Sequence, residues 1–139
     1  MPTIFSGVMG GKIPGTFVWR DGRGVAFMSS NPMAHGHTLV VPIAEVDHWG
    51  DGEPDLVAHL FSVTRIIGVA QKRAFGCERV GVILAGYEVP HAHIHVIPTN
   101  DMRELSFANA AATIDRESLE KAAEAIRIEL RRDGHVGVI

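Results

Sequence analysis

Apolar positions along the chain fall into two rhythms. Short runs crowded with apolar residues and closed by Gly, Pro, Asp or Asn occur at 16–20 (TFVWR), 25–29 (VAFMS), 38–42 (TLVVP) and 79–84 (RVGVIL). Their length and their β-branched and aromatic content predict strands. The turn DGRG at 21–24 separates the first two runs and SNPMAHG the next pair, an order that reads as an antiparallel meander. A different rhythm follows Pro54 and Asp55, where Leu56, Leu60, Val63, Ile67 and Ala70 recur at helical spacing before Gly76. Leu119, Ala122, Ala123, Ile126 and Leu130 repeat that spacing before Gly134. The pattern predicts a long helix after the third strand, packed on the sheet, and an amphipathic C-terminal helix. GVMGGKIPG near the start has the Gly and Pro of an irregular segment, a loop or short helix covering the core. Strands flanking helices without regular βαβ alternation indicate an α+β fold.

Residues 91–98 read HAHIHVIP and hold three of the eight histidines at every second position. A strand returns side chains to one face every second residue, whereas helix residues turn by about 100° each. The spacing predicts one strand face carrying His91, His93 and His95, with Ala92, Ile94 and Val96 packed behind. At about 3.3 Å per residue, His91 and His95 are roughly 13 Å apart, too far for one metal that holds nitrogens at about 2.0–2.1 Å. Two of the histidines could chelate, and completing a site would need His35, His37, His48 or His59. A solvated polar strand face is a further reading. So is phosphate chemistry, in which a neutral imidazole attacks phosphorus and its neighbours donate hydrogen bonds or a proton.

Composition narrows the partners. A chain of 139 residues, 46% hydrophobic, fits a single domain over 1–139. Net charge −3 and a pI near 6.2 offer no general attraction to nucleic acid polymers or anionic membranes, so a phosphate ligand must be bound by a shaped site. One cysteine, Cys77, allows no internal disulfide, and a reduced cytoplasmic setting is the simplest expectation. Neither a signal-peptide pattern nor an apolar stretch of the roughly 18 residues a membrane span needs is seen.

HAHIHVIP resembles the signature of the histidine triad (HIT) family, and GHTLVVP at 36–42 is similar to that family's upstream segment. FSGVMGGKIPGTFVWRDGRGVAFMSSNP follows its N-terminal layout, so the resemblance covers about residues 4–99 and leaves 100–139 as a C-terminal extension with its helix. The resemblance implies a HIT-like fold with a five-stranded antiparallel sheet, a homodimer, and nucleotidyl hydrolysis or transfer through a covalent nucleotidyl-histidine without a required cofactor or metal. Carried over by position, His93 is the nucleophile and His91 and His95 its polar flanks, and a histidine at the third place favours the hydrolase branch, including phosphoramidases. Phe5, Ile13 and Phe27 match positions that line the base pocket in that family, and ordinary core packing accounts equally well for apolar residues there. Ser29 stands where the family commonly has a ribose-holding aspartate, and Glu45 where it often has a further histidine. Gly86, Tyr87 and Glu88 occupy the loop that approaches the leaving group. A binding or sensing protein with weak turnover is the alternative.

Glu88 admits three readings: a solvent-facing loop residue, as most glutamates are, a general acid, or a partner for a cationic leaving group. His37 is expected to hydrogen-bond within the strand-entry turn, His35 and His48 to sit in exposed loops, and His59 to lie on the helix beside apolar neighbours. Cys77 is expected as a small buried residue.

Overall fold

The computed structural model describes residues 2–139. Five strands, β1 (Phe17–Arg20), β2 (Gly24–Met28), β3 (Thr38–Pro42), β4 (Arg79–Ile83) and β5 (Ile94–Thr99), form one sheet in the order β1-β2-β3-β5-β4. Every neighbouring pair is antiparallel. Three helices, α1 (Ile4–Met9), α2 (Pro54–Phe75) and α3 (Arg116–Arg132), accompany it, giving the expected α+β fold.

The helix ends follow local chemistry. Proline opens α2, where its missing N–H costs nothing, and Gly76 ends it at φ +60°, a conformation that glycine adopts without penalty. The Asp115 carboxylate accepts hydrogen bonds from the amides of Glu117 and Ser118 and so caps α3.

Both faces of the sheet are covered. On one, Val18, Ala26, Val40, Ile94 and Val96 meet Leu60, Val63, Ile67 and Ala70 of α2 and Ala122, Ala123, Ile126 and Leu130 of α3. Each large aliphatic side chain buried here is worth about 1.5–3 kcal/mol. The C-terminal extension is therefore part of the main core. On the other face Phe5 and Val8 of α1 pack on Val25, Phe27, Leu39 and Val41. Phe27, Leu39 and His95 are successive cross-strand neighbours, so the third histidine shares the α1 face.

One expectation needs correction. The last strand begins at Ile94, not at His91. Ahead of it the chain bonds to loops instead of a strand: the amide of His91 donates to Val89 O (2.8 Å) and that of Ala92 to Val46 O (2.6 Å). Ala92, Ile94 and Val96 are nevertheless buried away from the histidines as the alternation predicts.

Gln71, fully buried on α2, links the strands beneath the site. Its Nε2 donates to Gly36 O and to Val96 O, both at 3.0 Å, joining the entry of β3 to β5.

Candidate active site

A cleft of about 780 Å³ opens between α1, the sheet face and the segment before α3. His37, His93, His95, Glu88 and Ser29 line it, as do Phe5, Ile13 and Phe27. This volume lies within the range of small-molecule sites.

The protons of the site are assigned by neighbours that can only donate or only accept. His93 Nδ1 lies 2.7 Å from the carbonyl oxygen of His91. A carbonyl accepts, so Nδ1 carries a hydrogen, and in the neutral ring Nε2 is the nitrogen with the lone pair. The ring is 2% exposed and stands edge-on to Phe5, at 5.1 Å between centroids. At His37 the backbone amide of Met33 donates to Nδ1 (3.0 Å), which leaves the proton on Nε2. That Nε2 donates to His95 Nδ1 at 2.9 Å, so the neutral His95 ring holds its own proton on Nε2. Burial, then the neighbouring His95, pushes His37 down to about 3, so it is neutral at physiological pH. His95 is also lowered, by burial and then by His93, against the opposing effect of Glu88. Its buried Nε2 makes no well-aligned hydrogen bond among the described residues, with Glu88 Oε1 standing off at 3.4 Å. The face thus presents one lone pair and one free N–H, five ångströms apart between ring centroids.

His91 is placed differently from expectation. Its Nε2 donates to Pro42 O (2.8 Å) and its Nδ1 accepts from Thr3 Oγ1 (2.7 Å). With both nitrogens engaged inside the protein it does not line the cleft, and it acts on the site through its carbonyl, which fixes His93. Glu45 supports this arrangement from the surface, accepting from Thr3 N (2.9 Å) and Ser6 Oγ (2.7 Å) and so pinning α1, the wall that carries Phe5.

The loop before the triad also departs from expectation. Gly86 and Tyr87 do not line the cleft, and Tyr87 is 94% exposed. Gly86 adopts φ +85°, and this left-handed turn directs Tyr87 to solvent while Glu88 returns to the site. Glu88 is not simply solvent-facing, although its side chain is 40% exposed: Oε2 is 3.4 Å from His93 Nε2 and Oε1 is 3.4 Å from His95 Nε2. Burial opposes its ionisation, but its own backbone amide and the two imidazoles outweigh burial and hold the carboxyl below its usual value.

Glu88, His93 and His95 are the group that could hold a cation, with ligand atoms all within 4.8 Å of one another. The donor chemistry fits such an ion poorly. The hydrogen bond from His37 keeps a proton on the His95 nitrogen that would have to ligate, and a metal needs a lone pair there.

The remaining expected residues fall where their chemistry suggests. Ser29 Oγ accepts from the Asn31 amide at 3.2 Å. His35 and His48 are exposed, Cys77 is buried, and His59 on α2 pairs with Asp21 at 2.7 Å and does not line the cleft. Sequence reasoning missed the link from His37 to His95 and the wall formed by Phe107, Thr113 and Arg116. Phe107 stands edge-on to His95, with centroids 5.2 Å apart.

Comparison with known proteins agrees with this geometry. The model of the HIT domain matches residues 10–102. An uncharacterised HIT-like protein of Saccharolobus solfataricus is 32% identical over 101 residues, 69% of this chain and 73% of that protein. The adenylylsulfatase HINT3 of Arabidopsis thaliana is 26% identical over 130 residues, 90% of this chain and 64% of the plant protein. The crystal structure of a HIT-like protein involved in cell-cycle regulation from Bartonella henselae aligns with a TM-score of 0.81 at 28% identity, covering 91% of this chain and 95% of its own. A domain match over two thirds of the sequence, together with His93 and His95 presented at the head of β5, establishes that the chain belongs to the HIT family.

Proposed function

We propose that the protein is a nucleotide hydrolase that cleaves at the α-phosphate of a nucleotide conjugate, a nucleoside phosphoramidate or a dinucleoside polyphosphate, through a nucleotidyl group carried on His93. The observation that carries the reading is the 2.7 Å hydrogen bond from His93 Nδ1 to the His91 carbonyl, which aims an unprotonated Nε2 into the cleft. In the first step that lone pair attacks phosphorus, an N–P bond forms, and the P–N or P–O bond to the leaving group breaks. The free Nε2–H of His95 donates to a phosphoryl oxygen as charge develops there. The phosphorylated ring becomes cationic, and its Nδ1–H remains bound to the carbonyl. Phosphate charge beside Glu88 raises its affinity for a proton, which suits it to protonate the departing atom. Water then attacks phosphorus and gives its proton to the Glu88 carboxylate, the N–P bond breaks, and a nucleoside monophosphate leaves with His93 and Glu88 restored. The cycle needs no cofactor.

Phe5, Ile13 and Phe27 supply an apolar pocket for the base, and Ser29 faces the ribose. The plant relative is an adenylylsulfatase, an activity of the same nucleotidyl-cleaving kind. A second reading, a nucleotide sensor with weak turnover, is favoured by the Glu88 carboxylate standing 3.4 Å from both reactive nitrogens, where it opposes an incoming anion. We read the assembly as a cytoplasmic homodimer. In support, β4 is an edge strand with one side unpaired and Val82 exposed, a surface that a second copy can extend.

The test is incubation with phosphoramidates and dinucleoside polyphosphates, followed by intact-mass measurement of wild type and His93→Ala. A nucleotidyl adduct confined to wild type is expected. Product formed equally by the alanine variant overturns the mechanism, and tight binding without adduct or product selects the sensor.

A further inference from the structure

The domain match ends at residue 102, but the cleft continues beyond it. Its outer wall is formed by Phe107, Ala112, Thr113, Ile114 and Arg116. That wall is fastened to the end of β2. Asn31 Nδ2 donates to the carbonyls of Ala111 (3.0 Å) and Ala112 (2.9 Å), and the amide of Ala111 donates to Pro32 O (3.0 Å).

Two formally charged side chains line the cleft, Glu88 and Arg116. Among the described residues no carboxylate lies within ion-pair distance of Arg116. The acids nearest in sequence are engaged elsewhere: Asp115 caps α3 and Glu117 faces Lys121 at 3.5 Å. The guanidinium is thus a fork of donors without a protein acceptor, on a concave wall shared with the hydroxyl-bearing residues Thr113, Ser29 and Ser30. Such a fork matches a phosphate, and it does so better than an ammonium group would.

Position separates this cation from the reacting nitrogen. The wall that carries it is bonded through Asn31 to the end of β2, whereas His93 leads into β5, two places along the sheet from β2. At about 4.8 Å per strand spacing, the two sides of the cleft are roughly 10 Å apart. One phosphate held at His93 does not fill both.

We propose that Arg116 and Thr113 form a second anion subsite in the cleft, which takes a phosphate of the substrate other than the one attacked by His93. This rests on the nucleotide reading above and deepens it: the substrate carries at least two phosphates, one at the triad and one on the β2 side. The second can be attached to the ribose or can end a polyphosphate chain, and both present the same chemistry to a guanidinium.

Titration calorimetry of the full chain with three ligands separates these sources: nucleoside 5′-monophosphate, nucleoside 3′,5′-bisphosphate and nucleoside 5′-triphosphate, in adenosine and guanosine series. In wild type the bisphosphate or the triphosphate is expected to bind about ten-fold or more tightly than the monophosphate, and the one that does so names the source. That ratio is expected to fall toward one in Arg116→Ala and to be partly kept in Arg116→Lys, with the unfolding midpoint of each variant confirming an intact fold. Equal affinity for all three ligands in wild type overturns the subsite and leaves the nucleotide reading standing, as does a ratio that survives Arg116→Ala. Failure of every ligand to bind overturns both.

Discussion

His37 Nε2 lies 2.9 Å from His95 Nδ1, and both rings are buried. The hydrogen between them belongs to His37, because its other nitrogen already accepts from the Met33 amide at 3.0 Å. His95 is left as a donor toward the cleft. His37→Phe keeps an aromatic ring in place but removes the relay, and His95 can then move its proton to Nδ1 and turn a lone pair toward the phosphoryl oxygen. The expected loss in kcat/KM on a fluorogenic phosphoramidate is about 10- to 100-fold, the size of a charge-assisted hydrogen bond. Nitrogen NMR of His95 reports the tautomer directly, and an unchanged tautomer in the variant would remove this account.

Acid sensitivity follows from the same ring. In the unfolded chain His37 titrates near 6.5, whereas in the fold it is pushed down to about 3 by burial and by His95. Between those values the unfolded state binds more protons, so stability rises with pH there. Its contribution is complete above about 6.5 and is lost as pH falls toward 3, at about 1.4 kcal/mol per pH unit at most. Asp21, held near 2 by Trp19, the Arg23 and Gly24 amides and His59 against the effect of burial, acts only below about pH 4. Urea unfolding at a series of pH values should show the steeper decline between 6 and 4, and His37→Phe should flatten it.

Removing the hydroxyl of Thr3 tests the support of His91 and the cap of α1 together. Thr3→Val leaves the buried His91 Nδ1 without its 2.7 Å partner and deprives the Ser6 amide of its helix cap. A loss of about 1–3 kcal/mol is expected, measured by chemical denaturation. Glu45→Gln, which keeps acceptors for Thr3 N and Ser6 Oγ, should cost less.

Glu88→Gln separates repulsion from proton transfer. Two like charges about 4 Å apart repel by roughly 1 kcal/mol in water and by about 4 kcal/mol at an effective dielectric of 20, and partial exposure of Glu88 places it toward the lower figure. The variant should bind nucleoside monophosphate several-fold more tightly. If Glu88 also protonates the leaving atom, turnover of substrates with basic leaving groups falls while that of activated esters is kept. Equal effects on both substrate types would leave Glu88 with a purely electrostatic part.

The strands, the two long helices and the side assigned to Ile94 and Val96 were legible because each follows a local periodicity. The bounds of α2 at Pro54 and Gly76 are written in residues with strong backbone preferences. The site was only half legible. Alternation places His91, His93 and His95 on one side of an extended chain, but it does not tell which ring turns back to a carbonyl, and His91 does so at Pro42. The inward return of Glu88 depends on one left-handed glycine, Gly86, whose neighbours carry no periodic signal. The outer wall depends on Asn31 meeting Ala111, 80 positions away, a distance at which sequence pattern is silent. Gln71 hides within the apolar stripe of α2 beside Ala70, and only the carbonyls of Gly36 and Val96 that its Nε2 reaches account for a buried amide there.

Three imidazoles receive their proton assignment from main-chain atoms: His91 from the Pro42 carbonyl, His93 from the His91 carbonyl and His37 from the Met33 amide. No side-chain substitution deletes a peptide group, short of proline at Met33. The acid and base identities of this site are therefore inherited with the path of the backbone. Surrounding residues can drift, and the outer wall can be exchanged for another, without resetting which nitrogen attacks and which donates. A library that randomises residues 107–116 and spares the turns at 33 and 42 should change which conjugates are accepted far more readily than it changes how they are cut.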